Sequence, residues 1–300
     1  MSATRGICRT VLTVLVSLVV LASLASSPAI GDDLPEIRKR GVLRHLGVPY
    51  ANFVTGSGDG LDVDLIKQFA KHLGVRYVYV RTSWSDVIGD LTGENVKAKG
   101  DDVERVGKTP VKGDLIANGM TILPWRQKMV AFSKPTFATQ VWLVARADST
   151  LQPIKPTRKI SEDIAAVKKL LRGRHVLGKT ATCLDPKLYA LEKTGARITL
   201  FEGTLNELAP AILKREAEAT ILDVPDALIA LQKWPGQLKI IGPICARQTM
   251  GVGFARNAPK LREAFDEFLA SRRKDGSYRR LVAKYYPGFF ARYPKFFPGK

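Results

Sequence analysis

The 300-residue chain is 45% apolar, which is ample for a globular core in one large domain or two ordinary ones. Its formal net charge of +19 predicts attraction to anionic surfaces or solutes. The lysines and arginines are dispersed among acidic residues, so this charge does not indicate a nucleic-acid-binding protein.

The first 31 residues have the three parts of a secretory signal. Arg5 and Arg9 precede an uncharged apolar run at 11–22, and small residues follow at 26–31. An uncleaved membrane anchor is the alternative, but the apolar run is short for a full span. Cleavage after residue 31 would remove two arginines and no acidic residue, which leaves a charge of +17. We therefore expect an exported, periplasmic protein.

The mature chain begins with an alternation that is typical of a parallel α/β sheet. The predicted elements are a helix at 35–41, a strand at 42–48, a glycine-rich loop at 49–60, a helix at 61–74 and a strand at 75–81. The longer helix is indicated by apolar residues at helical spacing and by Gly74 after them. A strand, a helix and a strand in this order form a parallel unit.

The middle of the chain contains a polar insertion and then an arginine near a strand end. Residues 94–112 are charged and nearly free of large apolar groups, so we predict an inserted surface loop. A strand-like run at 114–123 ends at Pro124, which cannot donate to a sheet. Arg126 lies just past this end, where a turn can aim its planar donors at a carboxylate. Another extended run covers 139–146.

A second alternation follows at 155–249. The predicted elements are a linker and helix at 155–174, strands at 175–178, 198–201, 218–223 and 238–242, and helices that start at Asp185 and at the capping box 204–207. A further extended crossing at 250–255 leads into two helices, which the turn at 274–276 separates.

Four stretches resemble the extracellular solute-binding proteins of amino-acid type, the family that feeds ABC importers. Residues 119–137, with Arg126 followed by Phe-Ser-Lys-Pro at 132–135, are similar to the family's arginine motif and its F-S-x-P-Y. The other stretches lie at 61–65, at 171–182, and at 250–255 with 274–278 after it. They follow the family's order over residues 34 to about 290.

The resemblance implies an α/β fold of the type 2 periplasmic binding proteins. In that fold two lobes are joined by two crossing hinge strands, and the ligand lies between the lobes. Mapped onto this chain, residues 34–140 plus 250–300 form lobe 1, and residues 141–249 form lobe 2. The implied function is capture of a small, carboxylate-bearing, amino-acid-like solute for an ABC-type membrane permease.

The resemblance also implies which residues bind the ligand's α-carboxylate. Arg126 would form a bidentate pair with it, and Gly119 and Thr121 would add main-chain and hydroxyl contacts. Thr182 would offer its hydroxyl and a helix-start amide from the other lobe, a position that favours anions. A surface arginine after a turn is the alternative interpretation of Arg126 alone.

Two further residues are implied at the other end of the ligand. Asp223, at the end of a predicted strand, would bind the ligand's ammonium group. Its alternative role is a cap for the helix that begins at Val224. Tyr50 falls where the family places an aromatic residue near the ligand, and its alternative role is a half-buried wall residue.

The chain departs from the family pattern at three positions in these motifs. Leu123 stands where the family has a threonine three residues before the arginine, and Ala181 stands where it has a glycine. Trp125 replaces a residue that is usually polar. These departures predict a less polar or differently shaped pocket.

Cys183 and Cys245 are the cysteines that follow the predicted signal. Two thiols in an oxidising compartment can pair, so we predict a disulfide between them. Two isolated buried thiols are the alternative.

Enzymatic function is not indicated by any motif. We find no nucleophile–base pair with identifying spacing, no phosphate loop and no metal-ligand cluster, so we predict no cofactor and no metal. His45, His72 and His175 are expected in structural roles. Two alternatives to a binding protein stay open: a cleft enzyme of the same fold, similar to cyclohexadienyl dehydratase, and a sensor or partner-binding module.

The insertion at 94–112 and the tail at 287–300 are the least family-like parts. The tail carries five aromatic residues and three cations. One hypothesis is that it contacts a membrane surface or a protein partner. The alternative is that it packs across lobe 1.

Overall fold

The computed structural model describes residues 33–292. The predicted signal at 1–31 and tail residues 293–300 lie outside the described residues. The α-helices are α1 (Leu34–Arg40), α2 (Leu61–Leu73), α3 (Val87–Thr92), α4 (Pro124–Gln127), α5 (Ile160–Lys169), α6 (Leu208–Leu213), α7 (Val224–Lys233), α8 (Pro259–Lys274), α9 (Ser277–Tyr285) and α10 (Phe289–Arg292). None of the helices in 33–292 is both long and apolar enough to cross a membrane.

The strands form two five-stranded sheets and two smaller pairs. They are β1 (Val42–Gly47), β2 (Arg76–Arg81), β3 (Glu94–Lys99), β4 (Asp102–Lys108), β5 (Leu115–Ile116), β6 (Val130–Phe132), β7 (Phe137–Thr139), β8 (Val141–Arg146), β9 (His175–Gly178), β10 (Arg197–Leu200), β11 (Ala219–Asp223), β12 (Leu238–Pro243), β13 (Gln248–Met250) and β14 (Gly253–Ala255). The first sheet has the order β2-β1-β5-β14-β6, and the second has the order β10-β9-β11-β8-β12. We call the parts of the molecule built on them the first half and the second half.

The first sheet starts with the predicted parallel unit. β1 pairs in parallel with β2 and with β5, and β14 enters antiparallel between β5 and β6. Helix α2 connects β1 to β2 and buries Leu65, Ile66 and Phe69 on one face. Gly74 ends this helix in the left-handed conformation, at φ 73°, and its N–H bonds to the carbonyls of Ala70 and Lys71. The predicted helix and its stop signal are confirmed.

The second sheet also contains both parallel and antiparallel strand pairs, and its strands also alternate with helices along the chain. β9 lies parallel to β10 and β11, whereas β8 is antiparallel to β11 and β12. All five residues of β11 are buried, as are the first five of β8. Burial on both faces explains why β8 reads as a continuous apolar run, Val-Trp-Leu-Val-Ala, rather than as an alternating one.

Two crossing strands connect the halves. β7 and β13 pair antiparallel with each other and belong to neither large sheet. The prediction of an α/β fold with two crossings is confirmed. The exact lobe boundaries, 34–140 plus 250–300 and 141–249, stay a prediction.

Several predicted elements differ from the structure. Residues 94–108 of the predicted loop form an antiparallel hairpin of β3 and β4. Both of its faces are largely exposed, so its sequence lacks the apolar alternation that indicates a strand. The predicted strand at 114–123 is reduced to β5 and an isolated bridge at Thr121. The helix predicted from Asp185 is replaced by two 3-10 turns, with Ala190 left-handed between them at φ 51°.

An aromatic cluster joins the crossing to the end of the chain. The Phe137 ring lies 5.3 Å from those of Phe53 and Tyr286 and 5.0 Å from that of Phe289. Phe289 is buried. The described beginning of the tail is thus packed on the first half, as the alternative interpretation expects.

The start of the described chain is fixed by one carboxylate. Asp33 Oδ1 accepts from the N–H of Leu34, at the start of α1, at 2.8 Å. The same atom accepts from the N–H of Leu261, at the start of α8, at 2.9 Å. Asp33 therefore caps two helices at once and lies where the positive ends of their dipoles meet.

We expect Asp33→Ala to lower the free energy of unfolding by about 2 kcal/mol, because two helix starts lose an acceptor. Asp33→Asn should cost less, since the amide oxygen still accepts hydrogen bonds. Urea denaturation of the chain from residue 32 measures both changes. Asp101→Ala, in the exposed hairpin turn, is the matched control and should change stability by less than about 0.5 kcal/mol. Equal stability of the Asp33→Ala and Asp101→Ala proteins would contradict the double cap.

Candidate ligand-binding site

Arg126 lies inside the protein, in a short helix that starts with a proline. Leu123 is extended before α4, and Pro124 fills the first helical position, where no N–H is required. Arg126 is 1% exposed, and its Nη1 donates to the Thr121 carbonyl at 2.9 Å. Its guanidinium carbon lies 5.6 Å from the ring centre of Trp84 and 5.2 Å from that of Trp125. The interpretation as a surface arginine is therefore wrong.

Buried polar atoms without partners are concentrated around this arginine. Among the described residues, both amide atoms of Asn118, the hydroxyl of Thr121, Trp125 Nε1 and Arg126 Nε have no hydrogen-bond partner. Buried polar atoms nearly always have one. The segment 118–126 thus presents donors and acceptors that can bind a ligand.

Gly119 shapes the same segment, and its own amide is occupied. Its φ is 67°, and a Cβ there would lie 2.4 Å from the Phe53 ring. Its N–H donates to Asp62 Oδ2 at 2.7 Å. Burial raises the pKa of Asp62 to about 7, and this hydrogen bond opposes the shift. Gly119 is required by conformation and close packing, and its N–H already has an acceptor.

Asp223 lies at the end of β11 and at the N-cap position of α7. It makes no side-chain cap hydrogen bond, so its alternative role as a helix cap is not realised. Instead, Thr139 donates to Oδ1 at 3.2 Å, while Tyr50 and Cys183 donate to Oδ2 at 3.2 and 2.8 Å. Burial raises the pKa of Asp223, whereas these hydrogen bonds and the charge of Arg126 lower it.

Two contacts across the crossing place the halves in a closed arrangement. Tyr50, in the loop after β1, reaches Asp223 of the second half. The N–H of Ala51 donates to Asn206 Oδ1 at 2.9 Å. Tyr50 is fully buried, and burial and then the charge of Asp223 raise its pKa. The structure therefore brings Tyr50, Arg126 and Asp223 together in the interior.

Thr182 is buried, but its hydroxyl is used within its own turn. It donates to the Lys179 carbonyl at 2.8 Å and accepts from the Leu184 N–H at 3.0 Å. The residue before it, Ala181, has φ 61°. Glycine adopts this conformation without a steric penalty, whereas alanine pays one. Ala181 thus keeps the positive φ of the turn, at a higher conformational energy than the glycine of the family pattern would have.

The predicted disulfide between Cys183 and Cys245 is wrong: both cysteines are free. The Cys183 thiol donates to Asp223, and Cys245 Sγ accepts from the Val141 N–H at 3.3 Å. The sequence gives the number of thiols, but pairing requires a particular separation of their Cα atoms. Burial raises the pKa of the Cys183 thiol well above its ordinary value, and Asp223 adds to the shift.

Sequence reasoning missed three residues at this site. Trp84 flanks Arg126, Asn118 lies in its segment, and Asp226 follows Asp223 in the first turn of α7. The spacing of three between the two aspartates was the available signal, because such residues share one face of a helix. The other two carry no recognisable sequence pattern.

The histidines do not contribute to the site. His45 bonds to Tyr77 Oη at 2.8 Å and to the Ala117 carbonyl at 2.6 Å, and burial lowers its pKa to about 4. His175 bonds to Thr199 at 2.8 Å, and the His72 ring packs against Phe268. Within residues 33–292, no group of three or more His, Cys, Asp or Glu side chains could hold a metal ion.

Two α/β halves with a buried arginine and a buried aspartate between them define a two-lobed solute-binding protein. The family model of bacterial extracellular solute-binding proteins, family 3, matches residues 109–288, and the chain belongs to this family. Relatives include the histidine-binding periplasmic protein of Salmonella typhimurium, 25% identical over 76% of this chain and 78% of that protein. The probable amino-acid-binding protein YxeM of Bacillus subtilis is 24% identical over 90% of this chain and 93% of that protein.

Solved structures agree with the fold. A mutant of ArgBP from T. maritima is 25% identical, has a TM-score of 0.66, and is matched over 84% of this chain and 98% of its own.

A further sequence relative, the membrane-bound lytic murein transglycosylase F of Desulfosudis oleivorans, is 25% identical over 76% of this chain. The match covers 44% of that protein, so the chain spans less than half of its length.

We expect Ala181→Gly to raise the free energy of unfolding by about 1 kcal/mol, because glycine adopts the observed positive φ without strain. Ala264→Gly, in the middle of α8, is the control and should lower stability by up to about 1 kcal/mol. Thermal and urea unfolding measure both substitutions. A loss of stability in Ala181→Gly would show that the turn is not strained.

Proposed function

We propose that the protein binds a small amino-acid-like solute between its halves, with the solute's carboxylate on Arg126. The observation that carries this proposal is the buried Arg126 guanidinium, whose Nε has no partner among the described residues. A buried arginine needs an anionic or accepting partner, and a bidentate carboxylate fits its planar fork. Thr121 and Asn118 would supply further hydrogen bonds to the same ligand.

The other end of the solute is proposed to lie at Asp223. A carboxylate has about four lone-pair positions, and Thr139, Tyr50 and Cys183 use part of this capacity. A ligand's ammonium group would use the remainder. One guanidinium and one carboxylate in this arrangement suit an α-amino acid, because its carboxylate can pair with the guanidinium and its ammonium group with the carboxylate.

The proposed roles of the other two predicted residues are narrower. Gly119 is proposed to place the segment next to Phe53 and to leave its N–H on Asp62. Thr182 is proposed to hold the turn that carries Cys183 beside Asp223, since its hydroxyl bonds within that turn. Both residues then shape the site without donating those groups to the ligand.

We further propose that the solute passes to an ABC-type membrane permease. A relative named as a histidine-binding periplasmic protein and another named as an L-cystine-binding protein support this role, and the proposed export signal at 1–31 fits it. A sensor or partner-binding module would use the same cleft without a permease. Co-purification with permease subunits in the presence of ligand would separate these functions.

We expect Arg126→Ala to weaken amino-acid binding at least about 30-fold, because truncating one partner of a buried charge pair costs about 2–5 kcal/mol. Calorimetry with L-arginine, L-histidine, L-glutamine and L-glutamate first identifies a ligand, and the variant is then titrated with it. Tryptophan fluorescence is a second readout, since two indole rings flank the guanidinium.

Arg76→Ala, on the exposed face of β2, is the matched control and should bind as the unmodified protein does. Unchanged affinity of Arg126→Ala for an amino acid that the unmodified protein binds would refute the assignment.

We expect the free protein to be more open than the structure described here, and ligand to shift it to the closed form. The contacts of Tyr50 with Asp223 and of Ala51 with Asn206 exist only when the halves approach each other. Small-angle scattering with and without a verified ligand should show a smaller radius of gyration in its presence. Identical scattering profiles at saturation would argue for a rigid module.

A further inference from the structure

Asp226 has a buried carboxylate that takes no part in the proposed binding of the solute's carboxylate by Arg126 or of its ammonium group by Asp223. It lies three residues after Asp223, in the first turn of α7. Its side chain is buried, with 6% relative exposure, and Oδ2 has no hydrogen-bond partner in the part of the chain that the structure describes. A buried carboxylate oxygen without a hydrogen-bond donor or a cation beside it destabilises the folded protein.

A purely structural role does not account for Asp226. An acidic residue in the first turn often bonds back to the N-cap amide or favours the helix dipole from the surface. Helix α7 has no side-chain cap hydrogen bond, and Asp226 is buried rather than solvated. Burial, followed by the charge of Asp223, raises the pKa of Asp226 to about 8.

The electrostatic neighbours of Asp226 belong to both halves of the molecule. Asp226 lies close enough to Tyr50 and Tyr286 for its charge to raise the pKa of both, in addition to the larger effect of burial. Both tyrosines belong to the first half, whereas Asp226 belongs to the second. The charge of Asp223 also acts on Asp226. Asp226 therefore lies near residues of both halves, three residues after the proposed ammonium ligand Asp223.

A simple zwitterion does not supply a cation to Asp226. Arg126 contributes one positive charge, and Asp223 and Asp226 contribute two negative charges when both are ionised. With a ligand whose side chain is neutral, burial favours the protonated form of Asp226, and Arg126 balances Asp223. A ligand with a cationic side chain would allow Asp226 to ionise, and would supply the donor that Oδ2 lacks among residues 33–292.

We propose that Asp226 makes the cleft selective for a cationic amino acid, by accepting hydrogen bonds from the ligand's side-chain guanidinium, ammonium or imidazolium group while Arg126 holds its carboxylate. This inference rests on the proposed function of the site. Tyr50 is surrounded by aromatic rings: it stacks on Phe53, with ring centres 6.1 Å apart, and its ring centre lies 5.7 Å from that of Trp84 in an edge-to-face arrangement. Aromatic faces also attract cations.

The test compares L-arginine with L-citrulline, which has the same shape but a neutral side chain. Calorimetry of the unmodified protein should give an affinity for L-arginine about 30-fold or more above that for L-citrulline, as expected for a charged hydrogen bond in a buried site. In Asp226→Asn the two affinities should lie within about threefold of each other, through a loss for L-arginine and little change for L-citrulline. Agmatine, which lacks the carboxylate, should bind weakly to both proteins.

A second measurement reports the carboxylate directly. A cation that pairs with Asp226 lowers its pKa, so binding of L-arginine at pH 7 should release about one proton. The apparent binding enthalpy should then depend on the ionisation enthalpy of the buffer. Asp62, whose pKa is also raised by burial, could release protons as well, so the same titration of Asp226→Asn isolates the contribution of Asp226. The release should disappear in this variant and with L-citrulline.

The outcomes separate this inference from the function on which it rests. Equal binding of L-arginine and L-citrulline by the unmodified protein would overturn the inference and leave the proposed function in place. Persistent preference for L-arginine in Asp226→Asn would also overturn it, because another residue would then select the cation. Failure of every amino acid to bind, with agmatine bound instead, would overturn the proposed function itself.

Discussion

The structure depends on burying opposite charges that come from its two halves. Arg126 and Asp223 are almost completely removed from water, and each lies on an element that a different sheet positions. A buried charge destabilises the protein unless partners replace its hydration. Tyr50, from the opposite half, is one of the hydrogen-bond donors to Asp223. The buried charge of Asp223 is therefore fully stabilised only when the two halves are close together.

The scaffold restricts the site through shape as much as through charge. Gly119 brings its backbone against the Phe53 ring, and the cluster of Phe53, Phe137 and Tyr286 fixes the crossing strand beside it. Ala181 accepts a positive φ in the turn that carries Thr182. These contacts hold the polar groups in place when no ligand is present, which lowers the ordering cost of binding.

The inserted hairpin of β3 and β4 packs on the outside of the first half. β3 and β4 pack against α3 and α4, and Lys128, at the end of α4, forms an ion pair with Asp102 of the hairpin at 2.9 Å. Both partners are largely exposed, so this pair contributes little free energy. The hairpin's position is still informative, because α4 carries Arg126. An insertion that looks unrelated to the site borders the helix on which the site depends.

The sequence by itself determined the alternation of strands and helices, the helix stop at Gly74, the capping box at Thr204, and the class of fold. These follow from local periodicity and from residues whose backbone preferences are intrinsic. It also singled out Arg126 and Asp223 through a family resemblance. Tertiary structure decided what no local pattern encodes: the free thiols of Cys183 and Cys245, and the buried carboxylate of Asp226. Each of these depends on which atoms lie across a gap in space, and residues distant in sequence supply those atoms.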